Sequence, residues 1–287
     1  MLTISSIAAD ALAYGMVLFV ISIGLSVTMG LMKVVNLAHG AFAMIGGYIA
    51  SYMVQQMGMP FGIGLLIAVA GTILIAIPLE RLLYRRIYGA SDLTQVLMTI
   101  GITFAIIGLA NFIFGPTLKT IPLPSQLQGP VNLGFRSIAA HKIFAAAVGV
   151  VVAGALWFLI ERTPFGVRLR ASVDDAPMAG ALGVKTSWVY AVSFAIAIGL
   201  AALGGVVGAQ LLPVEPYYAL RYMVTFLVVV SVGGAGSIPG ALLAALLLGA
   251  VNTAGRYYVP EYGEFFFYAA VIAIVSIFPN GLLGRAK

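Results

Sequence analysis

The sequence predicts an all-α integral membrane protein, a polytopic helical bundle of about nine spans. Three observations predict this class. The 287 residues are 62% hydrophobic and only 8% charged, whereas about 25% of the residues of a soluble domain are charged. The mean hydropathy is +1.09. Long uncharged runs alternate with short segments that contain Lys and Arg. We interpret the whole chain, residues 1–287, as a single transmembrane domain.

The spans are expected in the runs that lack Asp, Glu, Lys and Arg. These runs cover residues 11–32, 34–79, 93–118, 143–160, 186–214, 222–255 and 265–284. A span needs about 20 apolar residues, so the second and sixth runs are too long for one helix each. Gly and Pro break them at residues 55–62 and 233–240, which gives about nine spans, with room for short or broken helices among them. Nothing before Lys33 is basic, so the first run is expected to be a retained span and not a signal peptide.

The distribution of basic residues predicts the orientation. With the N-terminus outside, the inner loops contain ten Lys and Arg residues, namely Lys33, Arg81, Arg85, Arg86, Arg162, Arg168, Arg170, Lys185, Arg285 and Lys287. The outer side then contains five, namely Lys119, Arg136, Lys142, Arg221 and Arg256. The positive-inside rule favours this arrangement, which places the C-terminus in the cytoplasm.

The inner loop at residues 161–187 has a helical pattern after Thr163. Pro164 suits the first position of a helix, and Gly183 is expected to end it. The intervening apolar stripe consists of Val167, Ala171, Met178, Ala179 and Leu182. An amphipathic segment needs a partner for its apolar face, which is this bundle, the membrane interface or another protein. The pattern alone does not choose among these.

Two polar residues, Asn36 and His39, interrupt the start of the second span. They are expected at its cytoplasmic start, not at its centre, on one helix face. Polar groups in hydrocarbon must find partners or cost several kcal/mol. Either Asn36 caps the helix by accepting from backbone N–H groups near Ala38, or the pair lines the inner end of a solute path. Other uncharged polar candidates for such a path are Thr99, Asn111, Gln210, Ser231 and Asn252.

Several classes of site are not indicated. The chain contains no Cys, which excludes disulfides and thiolate metal sites. It contains no G-x-x-x-x-G-K-[ST] phosphate loop, and no carboxylate lies at metal-ligand spacing from His39 or His141. The basic residues are spread over loops, which does not indicate nucleic-acid binding. We therefore expect no enzyme, no metal and no cofactor bound by this chain.

Four segments carry a resemblance to a known family. They are VVNLAHGAFAMIGGYIA at residues 34–50, RTPFGVRLRASVDDAPMAGALGV at 162–184, GGAGSIPGALLAALLLG at 233–249 and FPNGLLG at 278–284. Together they resemble the permease subunits of branched-chain amino acid ABC importers, of the shorter type called LivH. The resemblance covers nearly the whole chain, with the four motifs in the same order.

The resemblance implies that residues 161–187 are a coupling loop that docks into a groove of an ATPase subunit. The implied coupling residues are Thr163, Pro164, Gly166, Arg168, Arg170, Asp174, Asp175, Met178, Ala179 and Gly183. Our hypothesis is that the four charged members flank the docking helix and set its register. A bulky residue at Gly166 or Ala179 is expected to abolish transport while membrane insertion continues.

The resemblance also implies partners and a location. The partners are a second homologous permease, two cytoplasmic ABC ATPases that bind the ATP, an extracytoplasmic solute-binding protein and membrane lipid. The location is a bacterial inner membrane. Two alternatives are a permease for urea or short amides and an ATP-independent secondary transporter. The absence of charge in the middle of the spans argues against the second.

Overall fold

The computed structural model describes the backbone of residues 2–132 and 137–284, and their side chains from Ile7 onward. The predicted positions of Arg136, Arg285 and Lys287 lie outside these residues. The helices are α1 (Leu2–Ser26), α2 (His39–Ser51), α3 (Phe61–Leu79), α4 (Arg85–Ile87), α5 (Asp92–Phe114), α6 (Ala140–Arg162), α7 (Pro164–Asp174), α8 (Ala176–Ala181), α9 (Thr186–Val207), α10 (Tyr218–Gly233), α11 (Ile238–Tyr258) and α12 (Gly263–Ile277). Turns of π-helix extend α1 over Val27–Leu31, extend α2 over Tyr52–Gln56 and join α3 to α4 over Glu80–Tyr84.

The predicted all-α polytopic bundle is confirmed. Seven helical segments of the described chain are long and apolar enough to cross a membrane, at Ile7–Leu31, Phe61–Ile87, Asp92–Phe114, Ala140–Arg162, Thr186–Val207, Ile238–Tyr258 and Pro260–Ile277. The other two predicted spans correspond to the shorter helices α2, of 13 residues, and α10, of 16 residues. Each predicted span therefore has a helix, but α10 is too short to cross alone, and α2 approaches spanning length only together with its π-helical turn.

α1 and α9 form the centre of the bundle. In the most apolar 18-residue stretch of each span, 83% of the residues are buried in the span that contains α1 and 11% in the span that contains α12. Glycine permits the close packing at the centre, because a Cβ on Gly205 of α9 would lie 2.1 Å from the carbonyl oxygen of Ala43 in α2. The outer helices instead present apolar side chains outward, as a lipid environment requires.

Two ends of the bundle can be distinguished. The hairpin end contains the short antiparallel strands β1 (Pro130–Asn132) and β2 (Ser137–Ala139), and an ion pair of 2.8 Å between Lys142 Nζ and Asp10 Oδ1. The basic end contains Lys33, α4, α7 and α8, where Lys33 Nζ donates to the carbonyl oxygen of Val173 at 3.5 Å. The charge clusters used for the orientation therefore separate along the bundle axis.

The FPNGLLG segment closes the basic end of α10. The N–H groups of Leu282 and Leu283 donate to the carbonyl oxygens of Val232 and Gly233, at 2.7 and 3.3 Å. These carbonyls belong to the last turn of α10 and have no partner within that helix. Gly281, with φ of 82°, packs against this turn, where a Cβ would lie 2.5 Å from the backbone nitrogen of Gly234. Two of the four sequence motifs thus meet at one helix end.

Candidate functional site

The connection between α1 and α2, which we call the junction, covers residues 32–38 and is not helical. It starts at Lys33, whose φ of 54° is unusual for a residue other than Gly. Val34, Asn36 and Ala38 are each fully buried. The junction therefore runs back into the bundle as an extended segment.

Side chains of α5 satisfy the backbone of the junction. Val35 N donates to Gln95 Oε1 at 2.7 Å, and Leu37 N donates to Thr99 Oγ1 at 3.2 Å. Non-helical backbone at membrane depth is tolerated only where such partners are present. Thr99 helps to hold the junction in place, and its predicted role in a solute path stays a prediction.

α2 begins near the middle of the bundle. His39 Nε2 lies 2.8 Å from the carbonyl oxygen of Ile21 in α1. Ile21 is ten residues before Leu31 at the basic end and eleven residues after Asp10 at the hairpin end, so it lies about 15 Å from either, at about 1.5 Å per residue. The expectation that Asn36 and His39 lie at the cytoplasmic start of the second span is therefore wrong. The extended junction covers the first half of the crossing.

Asn36 does not cap α2. The N-cap residue is Ala38, and no side chain caps this helix. Instead the Tyr84 hydroxyl donates to Asn36 Oδ1 at 2.8 Å. The capping interpretation is wrong because Asn36 lies two residues before the N-cap position and its oxygen bonds a phenol from the π-helical turn after α3.

α10 also begins inside the bundle, next to the start of α2. A Cβ on Gly40, in the first turn of α2, would lie 3.3 Å from the carbonyl oxygen of Ala219 in the first turn of α10. The preceding segment comes from the hairpin end, where Val214 accepts from Lys119 N at 2.8 Å. The two short helices thus start side by side at mid-depth and run in opposite directions.

A small cavity lies between these two helix starts. Its walls are formed by Asn36, Leu37, His39 and Gly40 on one side, and by Leu25, Met223 and Phe226 on the other sides. It has room for about one water molecule. Within residues 2–132 and 137–284, Asn36 Nδ2 and His39 Nδ1 are buried and have no hydrogen-bond partner. The structure therefore brings together the two residues that the sequence singled out first.

The other predicted path residues lie elsewhere and do not line the cavity. Asn111 donates to the carbonyl oxygen of Ile107 in its own helix, at 3.2 Å. Gln210 is exposed and donates to the Ile121 carbonyl at 2.9 Å, at the hairpin end. Asn252 is buried on α11, and Ser231 is exposed on α10. Their roles in a path stay predictions.

The predicted coupling helix is two helices, α7 and α8. Pro177 lacks an N–H and cannot continue the hydrogen bonding of α7, so the chain breaks at Asp175. The Asp175 carboxylate then caps α8 by accepting from Met178 N at 2.9 Å. Gly183, with φ of 86°, follows the end of α8. The single predicted helix is therefore wrong in its continuity, although its start at Pro164 is confirmed.

Most of the predicted apolar stripe on this helix pair is exposed. Val167, Met178 and Leu182 are 60%, 59% and 79% exposed, and Ala171 is also exposed. Only Ala179 of the stripe is buried, at 3% exposure. Exposed apolar side chains that rim a structured surface are typical of protein or membrane contact sites.

Close contacts fix α7 to the bundle. A Cβ on Gly166 would lie 1.9 Å from the carbonyl oxygen of Ile160 in α6, and Arg170 donates to the same oxygen at 3.1 Å. The Tyr190 hydroxyl of α9 donates to the carbonyl oxygen of Ser172 at 2.9 Å. Thr163 Oγ1 donates to the carbonyl oxygen of Leu159.

The four charged coupling residues have different environments. Arg170 also pairs with Glu161 at 3.5 Å. Arg168 and Asp174 are exposed on α7, whereas Asp175 is the cap described above. Their proposed role in setting the register of docking stays a prediction.

Sequence reasoning missed Gln95 and Glu80. Gln95 is buried and, besides holding the junction, donates through Nε2 to the carbonyl oxygens of Ile87 and Ala90, both at 3.2 Å. Glu80 is buried and accepts from the Tyr88 hydroxyl at 2.8 Å. Burial and this hydrogen bond raise the pKa of Tyr88, so the hydroxyl keeps its proton and acts as the donor. Glu80 follows an apolar run, where its charge suggested a loop, and Gln95 lies inside the run 93–118, where nothing in the sequence marked it.

No group of three or more His, Cys, Asp or Glu side chains that could hold a metal ion occurs in the part of the chain that the structure describes.

The chain is similar to proteins of known families. Residues 7–275 match the family described as branched-chain amino acid transport system / permease component. The chain is 30% identical to the high-affinity branched-chain amino acid transport system permease protein LivH of Escherichia coli K12, over 93% of this chain and 91% of that protein. It is 28% identical to BraD of Pseudomonas aeruginosa, a permease protein of the same described system, over 97% and 95% of the two chains. Among solved structures, PsaBC from Streptococcus pneumoniae in complex with Fab aligns with a TM-score of 0.45 and 16% identity, over 96% of this chain and 88% of that chain.

Proposed function

The chain belongs to the family of branched-chain amino acid transport system permease components, and we propose from this premise that it forms the solute path of an importer for branched-chain amino acids, driven by ATP hydrolysis in partner subunits. It is a multi-pass membrane protein with seven helices of spanning length in its described residues. The observation that carries the energetic part of the proposal is the exposed apolar surface of α7 and α8 at the basic end.

This surface, formed by Val167, Met178 and Leu182, is the docking site for an ATPase. Contacts with α6 and α9 hold α7 in place. A movement of the ATPase would therefore be transmitted to the bundle through α7. Lys33 joins α7 directly to the junction through its bond to Val173. A displacement of α7 would therefore move the segment that positions α2.

Membership of the family supports the assembly that we propose. The basic end faces the cytoplasm, with the N-terminus outside and the C-terminus inside, in agreement with the positive-inside rule. Two cytoplasmic ABC ATPases bind ATP, a second homologous permease completes the path, and an extracytoplasmic solute-binding protein delivers the amino acid to the hairpin end. The location is a bacterial inner membrane, and this chain itself binds no cofactor.

Uptake by whole cells tests the function. Cells with and without this chain are compared for uptake of radiolabelled leucine, valine and urea, after arsenate depletes ATP or a protonophore dissipates the ion gradients. We expect chain-dependent uptake of leucine and valine that arsenate stops and the protonophore spares. Uptake of urea alone would assign another solute, and uptake stopped only by the protonophore would indicate a secondary transporter.

The docking surface is tested by Leu182→Asp. This change places a charge at a position that is 79% exposed, so the permease should fold while the ATPase no longer co-purifies with it. The matched control is Leu118→Asp at the hairpin end, where Leu118 is 52% exposed. Equal retention of the ATPase by both variants would contradict the assigned surface.

A further inference from the structure

The residues around the cavity between α2 and α10 include partners for a molecule that carries both signs of charge. The first turn of a helix has free N–H groups and a positive dipole end, which favour an anionic group. α2 presents this end to the cavity at Gly40, and the first turn of α10 lies against it at Ala219. A helix start of this kind, buried at mid-depth, is a suitable place for a carboxylate.

The two unpaired side-chain atoms in the cavity differ in sign. The Ile21 carbonyl can only accept, so His39 Nε2 carries the proton of that bond, and Nδ1 of the neutral ring is an acceptor. Asn36 Oδ1 already accepts from Tyr84, so the unpaired Nδ2 is a donor. Both residues are buried, with exposures of 0% and 1%. One unpaired donor and one unpaired acceptor therefore belong to two residues that line the same small space.

We propose that this cavity is the closed form of a transit site for a zwitterionic apolar amino acid, an inference that rests on the proposed function. The α-carboxylate accepts from Asn36 Nδ2 and from the first turn of α2, and the α-ammonium group donates to His39 Nδ1. The aliphatic side chain packs against Leu25, Met223 and Phe226, which form the apolar part of the wall. A simple anion would leave the acceptor unpaired, and a simple cation would meet the positive helix end.

The size of the cavity determines what must move. The space holds about one water molecule, so an amino acid enters only when the walls separate. Met223 and Phe226 belong to α10, whereas both polar residues belong to the junction and the first turn of α2. Between Gly40 and Ala219 the two helices meet with the smallest residues, so α10 can withdraw without breaking a hydrogen bond described between them.

The first test separates transport from ATP hydrolysis. In the transporter reconstituted with its partner subunits, Asn36→Asp keeps an acceptor for the Tyr84 hydroxyl but replaces the donor by a charge that repels the carboxylate. We expect leucine uptake to fall at least tenfold, while ATP hydrolysis stimulated by the loaded binding protein stays within twofold of the unmodified complex. The control, Thr72→Val, removes a buried hydroxyl that bonds only to the Ala68 carbonyl of its own helix, and it should leave both activities unchanged.

The second test does not depend on how Asn36 variants fold. Because the chain contains no Cys, Met223→Cys introduces a single thiol in the cavity wall. We expect leucine to slow alkylation of this thiol by a small uncharged reagent at least threefold in the complete, cycling transporter. Thr117→Cys, an exposed site at the hairpin end, should react at the same rate with and without leucine.

The outcomes distinguish this inference from the proposed function. Loss of uptake with retained ATP hydrolysis, together with protection of Met223→Cys, supports the site. Parallel loss of both activities in folded Asn36→Asp, or equal alkylation of Met223→Cys in the presence of transported leucine, overturns the site and leaves the proposed function standing. Absence of leucine uptake by the unmodified complex contradicts the proposed function and the site together.

Discussion

The junction before α2 and the helix pair α7–α8 interrupt the bundle in opposite ways. The junction and the first residue of α2 bury polar groups, with Asn36 and His39 almost completely covered. The helix pair exposes apolar groups, with Met178 and Leu182 largely uncovered. In a chain that is 62% hydrophobic, an apolar residue inside or a polar residue outside carries little information. The positions that reverse this rule bury polar groups inside the bundle or expose apolar groups outside the spans, where lipid does not cover them, and they are the ones that point to function.

The difference also indicates how each region responds to mutation. The junction is enclosed on all sides, so added volume there is expected to act on folding. The helix pair is held on one face and open on the other, so its two faces are expected to respond differently. The following changes test this contrast, from the largest expected effect to the smallest.

Gly24→Leu is expected to have the largest effect, because Gly24 of α1 packs against α9 and against the first residue of α2, next to the junction. Its Cβ would lie 2.4 Å from the carbonyl oxygen of Ala197 and 2.7 Å from Cε1 of His39. The expected cost is at least about 3 kcal/mol, at the upper end for an overpacked core, and little monodisperse protein should be recovered on size-exclusion chromatography in detergent. Gly101→Leu is the control, since no atom lies within 4 Å of its Cβ position. Equal recovery of both variants would show that the junction is not tightly enclosed.

Gly166→Ala should separate folding from transport in the helix pair. A Cβ 1.9 Å from the Ile160 carbonyl must displace α7, and with it the docking surface, while the spanning helices insert normally. We expect uptake below one-tenth of the unmodified level with unchanged amounts of protein in the membrane. Gly180→Ala on α8 meets no atom within 4 Å and should transport normally. Normal uptake by Gly166→Ala would contradict the role assigned to α7.

The two regions also differ in how far the sequence alone could predict them. The helix pair was predicted in outline because its signals are local: Pro164 starts it, Gly183 follows its end, and an apolar stripe runs between them. Even the break was present in the sequence, since Pro177 cannot continue a helix. What the pattern could not provide was the outward direction of the stripe, which depends on how Gly166 packs against α6.

The junction could not be predicted because the groups that hold it are distant in sequence. Residues 34–38 are as apolar as a helix, and their extended form depends on Gln95 and Thr99, about 60 residues later. The same holds for Asn36, whose oxygen is taken by Tyr84. The order of the spans was predictable because charged residues bracket the apolar runs. The start of a helix inside the bundle has no charged residue beside it in the sequence, so it could not be located.

Gln95→Met tests whether the hydrogen bond between the junction and α5 contributes to stability in addition to packing. Met matches the length of Gln but leaves Val35 N without its acceptor, in a place that water does not reach. The expected loss is about 2 kcal/mol, typical of a buried group left unpaired, and should appear as a lower melting temperature in detergent. Gln126→Met, at an exposed position of the loop at the hairpin end, should leave the melting temperature unchanged. A melting temperature of Gln95→Met equal to that of the unmodified protein would show that packing alone fixes the junction.

The smallest effect is expected where neither reversal occurs, at the ion pair between Lys142 and Asp10 that joins α6 to α1. The side chains of the pair are 24% and 39% exposed, so solvent screens their attraction, and we expect a coupling energy of about 0.5 kcal/mol. A cycle of Lys142→Met, Asp10→Asn and the double variant isolates this energy from the loss of each charge. A coupling well above about 1 kcal/mol would mean that the hairpin end is shielded from solvent as the junction is. The contrast would then lie between the helix pair and the rest of the bundle, and not between the helix pair and the junction.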